Sequence, residues 1–231
     1  MSEPAEPGVP RPARFLARAD LGRLLDVLHD ERRQVIGPTV ADGAIVYDEV
    51  HSVDDLPAGW GAEQAPGRYR LERRDDARLF DFAVGPTSWK RYTFPPRVPV
   101  TAGVRVDGTV SFTAAEADRP RLAFLGVRAC EIAALRIQDR VFGAGPLGDA
   151  DYLARRDDAI IIAVECATSA STCFCTSMST GPEVRAGYDL ALSELDEGFV
   201  VRVGTRAGDR IAARLPLVEA APGQMERSAG Q

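Results

Sequence analysis

Three of the four cysteines of this chain fall within ten residues, Cys166, Cys173 and Cys175 in VECATSASTCFCTSMSTGP. The fourth, Cys130, lies 36 positions earlier in LGVRACEIAALRIQDRVF. Four thiols support four kinds of chemistry. They ligate a 4Fe-4S cluster, one thiolate per iron. They close a four-cysteine zinc site. They cycle between thiol and disulfide, or they fill a core as small apolar side chains with no ligand. Structural zinc favours C-x2–4-C knuckles, whereas the tight pair here, Cys173 and Cys175, is C-x-C. That is a short reach for two ligands on one tetrahedral ion, and ligands on different irons of a cluster tolerate it better. A Cys173–Cys175 disulfide would be strained and labile, which keeps redox sensing open. The flanking Ser, Thr, Ala and Gly residues are small enough for backbone amides to approach cluster sulfurs.

Two apolar runs have the task of bringing these thiols together. RLAFLGV reads as a buried strand, and Cys130 follows it at the opening of an amphipathic helix, CEIAALRIQDRVF. AIIIAVEC reads as a second buried strand that ends at Cys166. In a parallel sheet both strand ends lie on one edge, where α/β proteins place their sites. Cys173 and Cys175 then come from the loop on that edge. The expected fold class is α/β (or α+β): a mixed sheet with flanking helices and a cysteine-bearing loop at the sheet edge.

Elsewhere, Leu21, Leu24, Leu25 and Leu28 have helical spacing behind Asp20 as N-cap, within ARADLGRLLDVLHDERRQVIGP. AIVYDEV reads as a strand, and GRYRLERRDDARLFDFAVG as two short strands joined at Arg74 to Asp76. GPTSWKRYTFPPRVPV reads as a loop. GVRVDGTVSFT is a hairpin with Asp107-Gly108 at its turn. DADYLARRD reads as a helix, and YDLALSELDEGFVVRVGT as a short helix or strand followed by a strand.

Several patterns are discounted. GAGPLG, Gly143 to Gly148, spells the dinucleotide fingerprint, but it follows a helix instead of opening one and contains Pro146, so it reads as helix termination and a turn. His29 and His51 have no ligand spacing to each other or to a cysteine. The pairs Asp54-Asp55, Asp75-Asp76 and Asp157-Asp158 read as solvated carboxylates.

A net charge of −6 argues against a nucleic-acid partner. Of 28 basic residues Lys90 alone is lysine, and the arginines are scattered among Asp and Glu, as genome composition would leave them. No apolar run approaches the roughly 20 residues of a membrane helix. The acidic, proline-bearing start MSEPAEPGVPRPARF is unlike a signal peptide, so the expected location is cytoplasmic. Four cysteines in that reducing compartment point away from structural disulfides.

GPTSWKRYTFPPR, FLGVRACEIAALRIQDRVF, DADYLARRDDAIIIAVEC and CFCTSMSTGP…GYDLAL occur here in one order. In that order they resemble a family of iron–sulfur electron-transfer subunits. The family includes the beta subunit of cytoplasmic NAD(P)-linked sulfhydrogenases and the corresponding iron–sulfur subunit of anaerobic sulfite reductase. The resemblance runs from about Gly85 to Val203. It implies an electron relay rather than a catalyst, set between a flavin- and NAD(P)H-binding subunit and the catalytic hydrogenase or reductase subunits. It also implies one 4Fe-4S cluster in this chain, with Cys130 (of GVRxC), Cys166, Cys173 and Cys175 (of CFCTSM) as its ligands. Trp89, Tyr92 and Phe94 are expected to pack the core or a partner surface.

Family members continue into a ferredoxin-like region with two further C-x2-C-x2-C-x3-C-P motifs, and this sequence has none. The expected organisation is a disordered N-terminus over 1–15, a single α/β domain over 16–218, and a connecting helix over 219–231 truncated before that region. The alternative function is a cluster-free scaffold or interaction domain with structural zinc or unligated cysteines.

Overall fold

The computed structural model describes residues 13–115 and 119–229. Strand β1 (Arg14–Ala17) leads through a 3-10 turn into helix α1 (Leu21–Asp30). Leu21, Leu24, Leu25, Val27 and Leu28 of α1 are all buried, so the helix is held by one apolar face. Each such leucine contributes about 1.5–3 kcal/mol on burial. Asp20 occupies the N-cap position, but its side chain accepts no capping hydrogen bond.

The chain continues through β2 (Gln34–Ala41), β3 (Ala44–Glu49), a hairpin of β4 (Trp60–Ala65) and β5 (Arg68–Arg73), and the short helix α2 (Lys90–Thr93). A second hairpin, β6 (Thr101–Val106) and β7 (Thr109–Ala114), precedes β8 (Leu122–Val127), α3 (Ala129–Gly143) and α4 (Ala150–Asp157). Then come β9 (Ile160–Val164), β10 (Leu190–Leu195), β11 (Gly198–Val203), α5 (Arg206–Ala212), β12 (Val218–Glu219) and α6 (Pro222–Ala229).

Eight strands form one mixed sheet in the order β12-β1-β11-β10-β9-β8-β2-β3. Its centre, β10-β9-β8-β2, is parallel, and antiparallel strands extend it on both sides. Central strands covered on both faces need apolar residues at every position, and all of β8 and β9 is buried. Ala123, Leu125, Ile160, Ile162 and Val164 join one core with the leucines of α1 and Ile211 of α5. Leu122, Phe124, Ile161 and Ala163 join the other with Ile132 and Leu135 of α3, Tyr47 and Trp89. The mixed α/β sheet with flanking helices is the expected class.

The β8–β9 crossover is built from α3 and α4. The β9–β10 crossover, residues 165–189, contains neither helix nor strand. Parallel neighbours are usually joined through a helix, and a structureless loop of that length commonly carries function. This loop holds Cys166, Cys173 and Cys175.

Several sequence expectations need correction. QVIGP, read with the preceding helix, belongs to strand β2. The strands expected to join at Arg74 to Asp76 do not pair; β5 pairs with β4 across Pro66-Gly67, and residues 79–84 run without regular structure. Within GPTSWKRYTFPPRVPV lies helix α2. Of the segment expected to be disordered, residues 1–12 lie outside the described residues, whereas Arg14 and Phe15 pair with β11. Glu219, placed beyond the domain, pairs with Arg14. Residues 222–229 are helical, and 230–231 lie outside the described residues.

Candidate functional site

Cys130 is the second residue of α3, immediately beyond β8, and Cys166 follows β9 by two residues. Because β8 and β9 are parallel, both thiols stand at the same sheet edge. A bulge at Gly126 shifts the β8–β9 register between Leu125 and Val127 and gives Gly126 a φ of +94°. Bulges of this kind re-aim the residues that follow them. Here they direct Arg128 and Cys130 at the start of α3.

The loop is pinned at both ends. The Glu165 carboxylate, beside Cys166, accepts a hydrogen bond from Val184 N at 2.9 Å and is paired with Arg202. The Thr168 hydroxyl bonds the buried Asp81 carboxylate. Ala170 N donates to the Cys173 sulfur at 3.3 Å, the amide-to-sulfur bond that thiolates and cluster sulfurs attract. Backbone turns, Cys173 N to Ala170 O at 3.0 Å and Thr180 N to Cys175 O at 2.9 Å, set the rest.

Burial first, and then Glu131, Cys175 and Cys166, push the Cys130 thiol up to about 12. Cys166 is also raised, by burial first; Arg128 acts against this, while Cys173 and Cys175 add to it. Gly181 brings Cys175 to the same edge: its Cβ position lies 3.2 Å from the Cys175 sulfur and 3.4 Å from the Cβ of Ala129, the residue before Cys130. Cys173 is exposed, and the other three are half-buried. Among the described residues no three His, Cys, Asp or Glu side chains stand at the spacing a single metal ion requires.

Three residues absent from the sequence expectations shape this edge. Arg128 is buried, and its Nη1 donates to Glu165 O at 2.6 Å. Its Nη2 donates to the carbonyls of Phe80 and Phe82. Glu131, in the first turn of α3, is buried and accepts from Tyr47 Oη at 2.7 Å and Arg128 N at 2.9 Å. Burial raises its carboxyl although these donors act against the shift. Asp81 holds Arg74 and Thr168. The sequence signal for Arg128 is slight, one charged residue closing an apolar strand.

The aromatic residues pack as expected. Trp89 is buried and stacks on Tyr47, with centroids 3.7 Å apart. Tyr92 Oη donates to Tyr47 O at 2.8 Å, and Phe94 stacks on Phe142. GAGPLG lies at the C-terminus of α3, where Gly145 has a φ of +77°. The acidic pairs are less idle than expected: Asp158 pairs with Arg33 and Arg121, and Asp55 accepts from the backbone of His51 and Ser52.

The chain is 27% identical over 175 residues to sulfhydrogenase 2 subunit beta of Pyrococcus furiosus, and is a distant relative of that protein. The match covers 76% of this chain and 43% of the relative, so the chain spans less than half of that protein's length. No family model matches the chain. No solved structure matches it.

The donor set fits an iron–sulfur cluster on two observations. Arg128 Nε is a buried donor without a partner, as expected beside an anionic group. At Gly181 a Cβ would lie 3.2 Å from the Cys175 sulfur, so the glycine leaves room around that thiol. Among the described residues no helix is long and apolar enough to cross a membrane.

Proposed function

We propose that this chain is an electron-transfer subunit of a hydrogenase-type complex, and that Cys130, Cys166, Cys173 and Cys175 hold a 4Fe-4S cluster. It would relay electrons between a flavin- and NAD(P)H-binding subunit and catalytic hydrogenase or reductase subunits in the cytoplasm. The observation that carries the reading is geometric: Cys130 and Cys166 follow the adjacent ends of parallel strands β8 and β9, and Gly181 sets the Cys175 sulfur beside Ala129, the residue before Cys130. The similarity to a sulfhydrogenase beta subunit supports the complex.

The cluster would supply one-electron storage. The residues of the chain do the rest. The thiols would give up their protons on becoming ligands, while the Ala170 amide bonds the Cys173 sulfur and Glu165 holds the loop ends together. The exposed Cys173, Phe174 and Met178 bring the site to the surface, where a redox partner docks. A second reading, a scaffold with unligated cysteines or zinc, draws on the thiol of Cys130, which at about 12 is stable as a protonated, apolar side chain.

Iron and acid-labile sulfide per chain, measured on anaerobically purified protein with its visible spectrum, separates the two. About four of each per chain is expected, and Cys130→Ser should lower iron as much as Cys173→Ser. A colourless protein that stays empty after reconstitution refutes the cluster. Full iron retention in Cys130→Ser removes that residue from the ligand set.

A further inference from the structure

Arg128 is a buried cation that makes no ion pair among the described residues. The residue is 1% exposed. Its bonds go to four neutral carbonyls: Val164 O at 3.5 Å, Glu165 O at 2.6 Å, Phe82 O at 3.2 Å and Phe80 O. It lies 5.2 Å from the centroid of the Phe82 ring, and Nε has no partner. Among the described residues no carboxylate stands within ion-pair distance of it. The nearby acids are committed elsewhere: Glu165 to Arg202 and Val184 N, Asp81 to Arg74 and Thr168, and Glu131 to Tyr47 and a backbone amide.

A buried charge without compensation is costly, and four carbonyl dipoles offset only part of that cost. Glu131 is within its electrostatic reach but makes no side-chain bond to it, and a closer negative charge has an evident place. The carbonyls that Nη1 grips belong to the two residues before Cys166, and Arg128 itself is two residues before Cys130. Four thiolates around a cluster leave a net anion at that spot.

We infer that Arg128 is the counter-charge and positioning residue of the four-cysteine site, joining the two strand ends that present Cys130 and Cys166 and raising the potential of the group they hold. The inference rests on the cluster reading above. A fixed positive charge favours the state with the added electron, so removing it makes the cluster harder to reduce.

The test is an EPR-monitored redox titration of the full chain as wild type and as Arg128→Gln, with iron content measured on both. At a fixed potential the Arg128→Gln cluster is expected to show a tenfold lower reduced-to-oxidised ratio, about 59 mV for one electron. A loaded Arg128→Gln cluster with the wild-type midpoint overturns the inference and leaves the cluster reading standing. A wild type without iron and sulfide refutes both. If Arg128→Gln does not fold, wild-type protein labelled with 15N-arginine supplies the reading. The Arg128 Nε–H resonance should be protected from exchange and should shift or broaden when the cluster is loaded, and an unmoved resonance overturns the inference.

Discussion

Glu194, on β10, connects the sheet to the cysteine edge, and replacing it by Gln tests that connection. One carboxylate oxygen accepts from Leu79 N and Arg18 Nη1, both at 2.8 Å, and the other from Phe80 N at 2.8 Å. Residues 79–82 are irregular, so these bonds replace the ladder that a strand would have provided. The Phe80 and Phe82 carbonyls in turn hold Arg128, which holds the residue before Cys166. Glutamine keeps one acceptor oxygen and turns an NH2 toward the remaining amide. One buried donor is then left without a partner, at a cost of about 1–3 kcal/mol. The Arg18 bond also loses its charge assistance; with Arg18 about a quarter exposed, that adds roughly 0.5–1 kcal/mol. A total of about 2–4 kcal/mol lowers the melting point of a chain this size by roughly 5–15 °C. The assay is thermal unfolding by circular dichroism, with hydrogen exchange at the Leu79 and Phe80 amides expected to accelerate. A melting point within about 2 °C of wild type, with exchange unchanged, would show that Glu194 does not hold this segment.

Gly126→Ala should destabilise the protein by about 1–3 kcal/mol, because a Cβ at φ +94° would also lie 3.1 Å from the Phe80 ring; urea unfolding measures it, and an unchanged midpoint refutes it. Asp158 gives a pH dependence. Burial works against its carboxylate, but the bond from Arg121 and the charges of Arg33 and Arg121 outweigh this and hold it below the usual carboxylate range. Its folded value is depressed, so its contribution is present above the unfolded value of about 3.9 and is lost as pH falls through the lower folded value. The stability gap between wild type and Asp158→Asn should therefore close below pH of about 4; a gap that persists in acid counts against the ion pair.

Local pattern makes much of this protein legible. The leucine spacing of α1, the unbroken apolar runs of β8 and β9, and the Asp107-Gly108 turn, with φ of +49° and +81°, depend on neighbours within a few positions. Two strands that each end at a cysteine imply a shared edge, because parallel neighbours align their C-terminal ends. The segment 79–84 alternates like a strand, yet its Leu79 and Phe80 amides are satisfied by the carboxylate of Glu194, 115 and 114 positions away. Such a partner leaves no trace in local periodicity. QVIGP follows a helix closely in sequence, and only pairing with β8 and β3 makes it a strand. In the sequence Arg128 is a single charge at a strand end. Its burial follows from the bulge at Gly126 and from carbonyls on two other segments, and these meet only when the sheet has formed. Residue type and order determined the faces of the helices and strands and which thiols could meet; the tertiary structure decided which charge was sealed in beside them, because burial depends on groups distant in sequence.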